Sequence, residues 1–177
     1  PVLQADTILL SPNAGPSSLA GKECNPNFFV TSYQNDQNHE VLGIVAQKRG
    51  FKKVVLLTPN YQAGKDAVAG FKRHFKGEVA DEMYTPLGQL DFSAELAKIA
   101  AAQPDAIFTF MPGGMGVNLV KQFRQAGLAD KIVFLSAFTV DESTLPAQQD
   151  AAIGLFGGQN WAPNLENPAN KKFVEAY

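Results

Sequence analysis

The stretch between Asp91 and Phe108 constrains the fold more than any other part of this chain. Asp91-Phe92-Ser93-Ala94-Glu95-Leu96 sets an acidic residue and a serine at the head of a helical run, which continues through Lys98-Ile99 to Pro104-Asp105-Ala106-Ile107-Phe108. Asp and Ser side chains accept the free amides of a first helical turn. The uninterrupted apolar run after the proline suits a strand covered on both faces. A capped helix delivered into such a strand is the repeating half-unit of a parallel α/β sheet.

The same alternation extends in both directions. Asn35-Asp36 reads as an N-cap before Val41, Leu42, Val45 and Ala46 at helical spacing, and Gly50 ends that helix. Val54-Val55-Leu56-Leu57 reads as a strand, followed by a helix with Ala67, Val68, Phe71 and Phe75 on one face and Gly77 as its stop. Residues 79–84 give another strand, and the helix over about 92–102 turns Leu96, Ile99 and Ala100 to one side. Residues 106–110 form the central strand; a helix over about 115–126 carries Leu119, Val120 and Phe123; Ile132-Val133-Phe134-Leu135 is the next strand. Strands and helices in this order imply an α/β fold with right-handed crossovers.

Both ends look different. Thr7-Ile8-Leu9-Leu10 is a short strand broken by the turn cluster Ser11-Pro12-Asn13-Ala14-Gly15-Pro16, with a helical turn opening at Ser17-Ser18-Leu19 and a second strand at Phe28-Phe29-Val30-Thr31-Ser32. Residues 152–161 read as a last apolar strand containing Gly157-Gly158, and Asn167-Pro168-Ala169 opens a helix that Tyr177 cuts short. The chain therefore reads as a fragment of a longer protein.

Composition excludes several function classes. With 15 Lys+Arg against 17 Asp+Glu and the basic residues scattered, no polyanion-binding surface is present, so nucleic acid is not a partner. No apolar run is long enough to span a bilayer. Cys24 is the single cysteine, which rules out an intrachain disulfide and a multi-cysteine metal site, and reads as a small buried residue or a loop thiol. His39 and His74 lack a second ligand at metal spacing and read as solvent-facing. A nucleophile elbow, a phosphate loop and a dinucleotide fingerprint are all missing. Gly113-Gly114-Met115-Gly116 is glycine-rich at the wrong spacing.

Four blocks carry a family resemblance: Leu10-Ser11-Pro12-Asn13-Ala14-Gly15; Tyr61-Gln62-Ala63-Gly64-Lys65-Asp66 with Phe71; the stretch from Asp91-Phe92-Ser93 to Asp105; and Gln122-Phe123-Arg124-Gln125-Ala126-Gly127. In order and over nearly the whole chain, they resemble the periplasmic solute-binding proteins of the branched-chain amino acid (Leu/Ile/Val-binding, type I periplasmic-binding) family of ABC transporters. The resemblance implies parallel sheets flanked by helices in two hinged lobes. Residues 1–34 would end the first lobe, 35–157 would form the second, and 158–177 would be the return hinge and the start of a first-lobe helix. It implies a periplasmic, exported monomer that needs no cofactor, is not an enzyme, and passes a small-molecule carboxylate to a membrane ABC permease. The signal peptide is not in this chain. A ligand-sensing receptor domain on the same fold is the alternative in another class, and a flavodoxin-like enzyme ranks below both.

In parallel sheets, ligands collect at the carboxyl ends of the strands. That rule selects the loops after Leu10, Leu57, Phe110 and Leu135. Ser11, Asn13, Ala14 and Gly15 would expose amides and side-chain donors, with the turn at Pro16-Ser17-Ser18 aimed at a ligand carboxylate, as the resemblance also implies. Tyr61, Phe110, Met111 and Pro112 would supply aromatic and apolar surface. Tyr61 can equally be a helix-start staple, Met111 a core residue, and Trp161 either a cleft wall or packing. Phe138 is the departure: amino-acid-binding relatives carry a carboxylate in that loop for the ligand ammonium, and Ser136-Ala137-Phe138-Thr139 has none. Asp141 and Glu142 would compensate only if the loop turned back. An unpaired buried ammonium is costly, so the favoured ligand is a carboxylic acid with an aromatic or apolar body, with a branched-chain or other amino acid as the alternative.

Overall fold

A computed structural model describes residues 2–176. Two parallel sheets organise it. The small one pairs β1 (Leu9–Ser11) with β2 (Phe28–Val30), joined through a 3₁₀ turn at Ser17–Ala20. The large one contains β3 (Lys53–Pro59), β4 (Glu78–Thr85), β5 (Ala106–Thr109), β6 (Val133–Ala137) and β7 (Phe156–Gly158) in the order β4-β3-β5-β6-β7.

Side-chain alternation sorts this sheet's residues into two cores. Val54, Leu56, Phe108 and Leu135 face α1 (Gln37–Lys48) and α2 (Gln62–His74), where they meet Leu42, Ala46, Val68 and Phe71. Val55, Leu57, Ile107 and Phe134 face the other way, toward α3 (Ser93–Ala102) and α4 (Gly114–Gln125), against Leu96, Ile99, Leu119 and Phe123. Burial on both faces explains why the central strands are apolar throughout. The architecture is α/β with parallel sheets flanked by helices.

The Asp91–Asp105 stretch turns out to hold this frame together. Asp91 Oδ1 accepts the Ser93 amide at 2.9 Å and opens α3, while Phe92 is fully buried beneath it. At the other end of that helix, Asp105 Oδ2 accepts the amides of Lys52 (2.6 Å) and Lys53 (3.0 Å), tying the start of β3 to the start of β5. Those two amides hold the Asp105 carboxyl below the usual carboxylate range.

Three expectations are corrected. Asn35 and Asp36 do not cap α1 with their side chains; Asp36 is drawn instead to Arg73 of α2, at 2.7 Å. Val41 and Ala100 are exposed, because the α1 face that packs is the one bearing His39, Leu42, Gly43 and Ala46, and α3 packs through Leu96 and Ile99. The strand expected over 152–161 shrinks to Phe156–Gly158, since Gln149–Ala152 forms a 3₁₀ turn and Gly154 takes a left-handed φ of 82°. The terminal helix, α6 (Pro168–Ala176), is present, and Trp161 packs edge-on to its Phe173 while donating Nε1 to Asn170 at 2.6 Å. A short helix, α5 (Leu145–Gln148), follows β6; Tyr177 lies outside the described residues.

Candidate functional site

Chain order and spatial order diverge at β3, whose two neighbours are β4 on one side and β5 on the other. Such a reversal opens a crevice at the carboxyl ends of the strands, because successive loops leave in opposite directions. A hollow of about 350 Å³ lies there. Tyr61 and Ala63 reach it after β3, Phe110, Pro112 and Gly113 after β5, and Phe138, Asp141 and Ser143 after β6; Asn13 and Ala14 face them from the loop after β1. Tyr33, Asn35 and His39 complete the lining.

The walls are aromatic. Tyr33 stacks on Phe138 with ring centroids 5.3 Å apart, and Tyr61 lies parallel to Phe110 at 6.2 Å. His39 sets its edge against Phe108 (5.6 Å), Phe110 (5.2 Å) and Phe138 (6.1 Å). Offset and edge-on pairs of this kind are the favoured arrangements of ring quadrupoles. Phe138 holds a left-handed φ of 55°, which is rare for a bulky side chain. Its neighbour Thr139 fixes it there: Thr139 Oγ1 accepts the Met111 amide at 2.8 Å, and its carbonyl accepts from Thr144 Oγ1 and Gln148 Nε2. Backbone strain of this sort persists only where surrounding bonds over-determine it.

Asn13 and Ala14 form the polar lip. The Tyr33 hydroxyl donates to Asn13 Oδ1 at 3.0 Å, and Ser32 Oγ to the Asn13 carbonyl at 2.8 Å. Among the described residues the amides of Asn13 and Ala14 donate to nothing, which leaves two N–H groups beside the aromatic walls. Burial pushes the Tyr33 and Tyr61 phenols up, so both remain protonated donors at neutral pH.

Three expected contact residues do not line the hollow. Ser11 spends its hydroxyl hydrogen on the Ala14 carbonyl at 2.6 Å, closing the loop on itself. Gly15 is buried and exchanges hydrogen bonds with Asn35 through its amide and its carbonyl; a Cβ there would sit 2.2 Å from the Tyr33 carbonyl oxygen, so its role is close approach. Met111 is fully buried in the core on the α4 side. The turn at Ser17 is also taken: its amide donates to Asp66 Oδ2 at 3.1 Å, and Asn35 Nδ2 joins the same oxygen at 3.1 Å. The protein's own carboxylate thus occupies the Ser17 amide, which leaves Asn13 and Ala14 of the expected anion loop facing the hollow.

His39, expected in solvent, is 2 % exposed. Its spacing with Leu42, Gly43 and Ala46 marks the buried face of α1 and was the available signal. Asp141 does turn back to the rim, with Oδ1 engaged by the amides of Ser143 (2.9 Å) and Thr144 (3.1 Å). Cys24 is exposed, as is His74. Among the described residues no group of three or more His, Cys, Asp or Glu stands where it would hold a metal ion, and no helix is long and apolar enough to cross a membrane.

Burial drives the His39 pKa down to about 4, against the opposing pull of Asp36 and Asp66. The unfolded ring titrates near 6.5, above the folded value, so between those pH values the unfolded chain binds more protons. The stability this group contributes is therefore complete above about pH 6.5 and is lost as pH falls toward 4. Urea denaturation of the ligand-free protein is expected to show a loss of roughly 2 kcal/mol from this source between pH 7 and pH 4.5. His39→Phe should flatten the profile by that amount; parallel profiles would contradict it.

The family model described as periplasmic binding protein matches residues 1–177. The Leu/Ile/Val-binding protein homolog 6 of Brucella melitensis is 31% identical over 182 residues, spanning 99% of this chain and 46% of its own length. Among solved structures, the solute-binding protein of an ABC transporter from R. palustris in complex with benzoate superposes with a TM-score of 0.89 at 31% identity, over 99% of this chain and 49% of that one. A second, from Rhodopseudomonas palustris BisB5 in complex with 3,4-dihydroxy benzoic acid, gives 0.84 at 34% identity, over 99% and 49%. This chain therefore spans about half the length of the relatives it matches. With its fold and a family match over residues 1–177 in agreement, the chain belongs to the periplasmic binding protein family.

Proposed function

We propose that this chain forms much of the cleft of an exported solute-binding protein, which captures a small carboxylic acid with an aromatic or apolar body and presents it to a membrane ABC permease in the periplasm. The supporting observation is the pairing of two unengaged amides, at Asn13 and Ala14, with walls built from Tyr33, Tyr61, Phe110 and Phe138. The amides suit a carboxylate and the rings suit an apolar body. The two R. palustris proteins, which bind benzoate and 3,4-dihydroxy benzoic acid, lend weight to the same chemistry. In this reading residues 1–34 and 158–177 belong to one lobe and 35–157 to the other, and ligand stabilises the closed arrangement. Capture, and no turnover, is the role.

Asp141 favours a second reading. Its carboxylate stands on the rim, where an amino acid's ammonium would find it. Thermal shift and calorimetry on the full-length protein separate the two. Benzoate-type acids should stabilise it and leucine should not. Tight leucine binding that is lost in Asp141→Asn, with no response to benzoate, would select the amino-acid reading instead.

A further inference from the structure

We propose that His39 is the specificity-determining residue of the hollow, offering its imidazole to a ring hydroxyl so that a hydroxylated aromatic acid is preferred to the unsubstituted one. The inference rests on the aromatic-acid reading above and assigns that ligand a second polar group at the His39 end of the hollow.

The placement of His39 is costly without such a partner. Phe108, Phe110 and Phe138 surround its ring edge-on, so a phenylalanine at this position would complete an all-aromatic cluster. The histidine instead brings two nitrogens into a nearly solvent-free place. Neither is hydrogen-bonded by the described residues; Nδ1 is buried outright, and Nε2 is the nitrogen that keeps access to the hollow. Buried polar atoms in native proteins are satisfied, so a group without a protein partner beside an open hollow points to what enters it.

The chemistry of that partner follows from charge. The ring is neutral at ordinary pH and so carries one donor and one acceptor. A phenolic hydroxyl can either give or accept, so it can serve the nitrogen open to the hollow in whichever tautomer the ring holds. A carboxylate could only accept the ring N–H, and the negative charges of Asp36 and Asp66, both felt at this ring, oppose a further anion there. An ammonium could only donate to the ring's acceptor, and it would carry a charge into a nearly solvent-free place walled by aromatic rings. Arg73 and Glu40 do not supply the missing bond: Arg73 is engaged by Asp36 and Glu40, and Glu40 by Arg73 and His74. The Tyr33 hydroxyl is committed to Asn13. The acid group is then left to the Asn13–Ala14 lip, and the hydroxyl to His39.

Calorimetry of the full-length protein with benzoate, 3-hydroxybenzoate and 4-hydroxybenzoate tests this. At least one hydroxy acid should bind at least about tenfold more tightly than benzoate, because a site built to hydrogen-bond a hydroxyl discriminates against its absence. In His39→Phe that ratio should collapse to within about twofold. If the variant does not fold, the wild-type ratio still decides, together with the ¹⁵N shifts of His39, which should move on saturation with the preferred hydroxy acid and stay in place with benzoate. Equal affinity for all three acids overturns this inference and leaves the aromatic-acid reading standing. Binding of none of them overturns both, and a ratio that survives in His39→Phe overturns the assignment to this residue.

Discussion

Phe138→Ala is expected to weaken binding of an aromatic acid by about 2–3 kcal/mol, a loss of roughly 30- to 150-fold. Phe138 stacks on Tyr33, meets Phe110 edge-on at 6.2 Å, and touches the edge of His39, so it joins three parts of the wall at once. Truncation opens that wall to water and frees Tyr33 to leave the Asn13 lip. Stability should suffer far less than affinity, because alanine fits the left-handed φ no worse than phenylalanine and the side chain is only half-buried. Isothermal titration beside a urea melt measures both. An affinity unchanged within threefold would remove Phe138 from the site.

The second large effect is structural. Gly43 of α1 lies so close to α2 that a Cβ there would stand 2.2 Å from the Phe71 carbonyl oxygen, and Gly70 of α2 stands in the same relation to the Asp36 carbonyl at 2.5 Å. Backbone atoms cannot rotate away as a side chain would, so any larger residue forces the helices apart. Gly43→Val is expected to destabilise the fold by about 3 kcal/mol or more, the upper range for overpacking. Since α1 also carries His39, the hollow should lose its floor in the same step. A denaturation midpoint within experimental error of the wild type would show that the two helices do not meet through these glycines.

How much of this was legible in the sequence depended on the range of the interaction concerned. Alternating strands and helices are local patterns, and Val54-Val55-Leu56-Leu57 or Ala67, Val68 and Phe71 reveal their faces by spacing alone. The Asp91–Asp105 stretch was the clearest signal because its work is structural: it opens α3 and ties β3 to β5 at the amino ends of the strands, away from the hollow. Tyr61, Phe110 and Phe138 were readable because each follows closely on the carboxyl end of a strand, where topology places ligands. Tyr33 and Asn35 were not, since nothing nearby in sequence shows that they fold back onto Phe138 and Gly15. His39 lay between the two cases. Its helical spacing marked a buried face, but the aromatic rings that enclose it come from β5, from the loop that follows it and from the loop after β6. The Ser17 amide was unreadable for a related reason: Asp66, far along the chain, takes it.

The remaining question is chemical, and one measurement addresses it without any choice of test compound. Full-length protein, purified from its own cells without dialysis against ligand, is denatured and the released small molecules are identified by mass spectrometry. A monocyclic aromatic or otherwise apolar carboxylic acid lacking an α-ammonium group is the expected result. Leucine, isoleucine or another α-amino acid as the compound released in stoichiometric amount would contradict it.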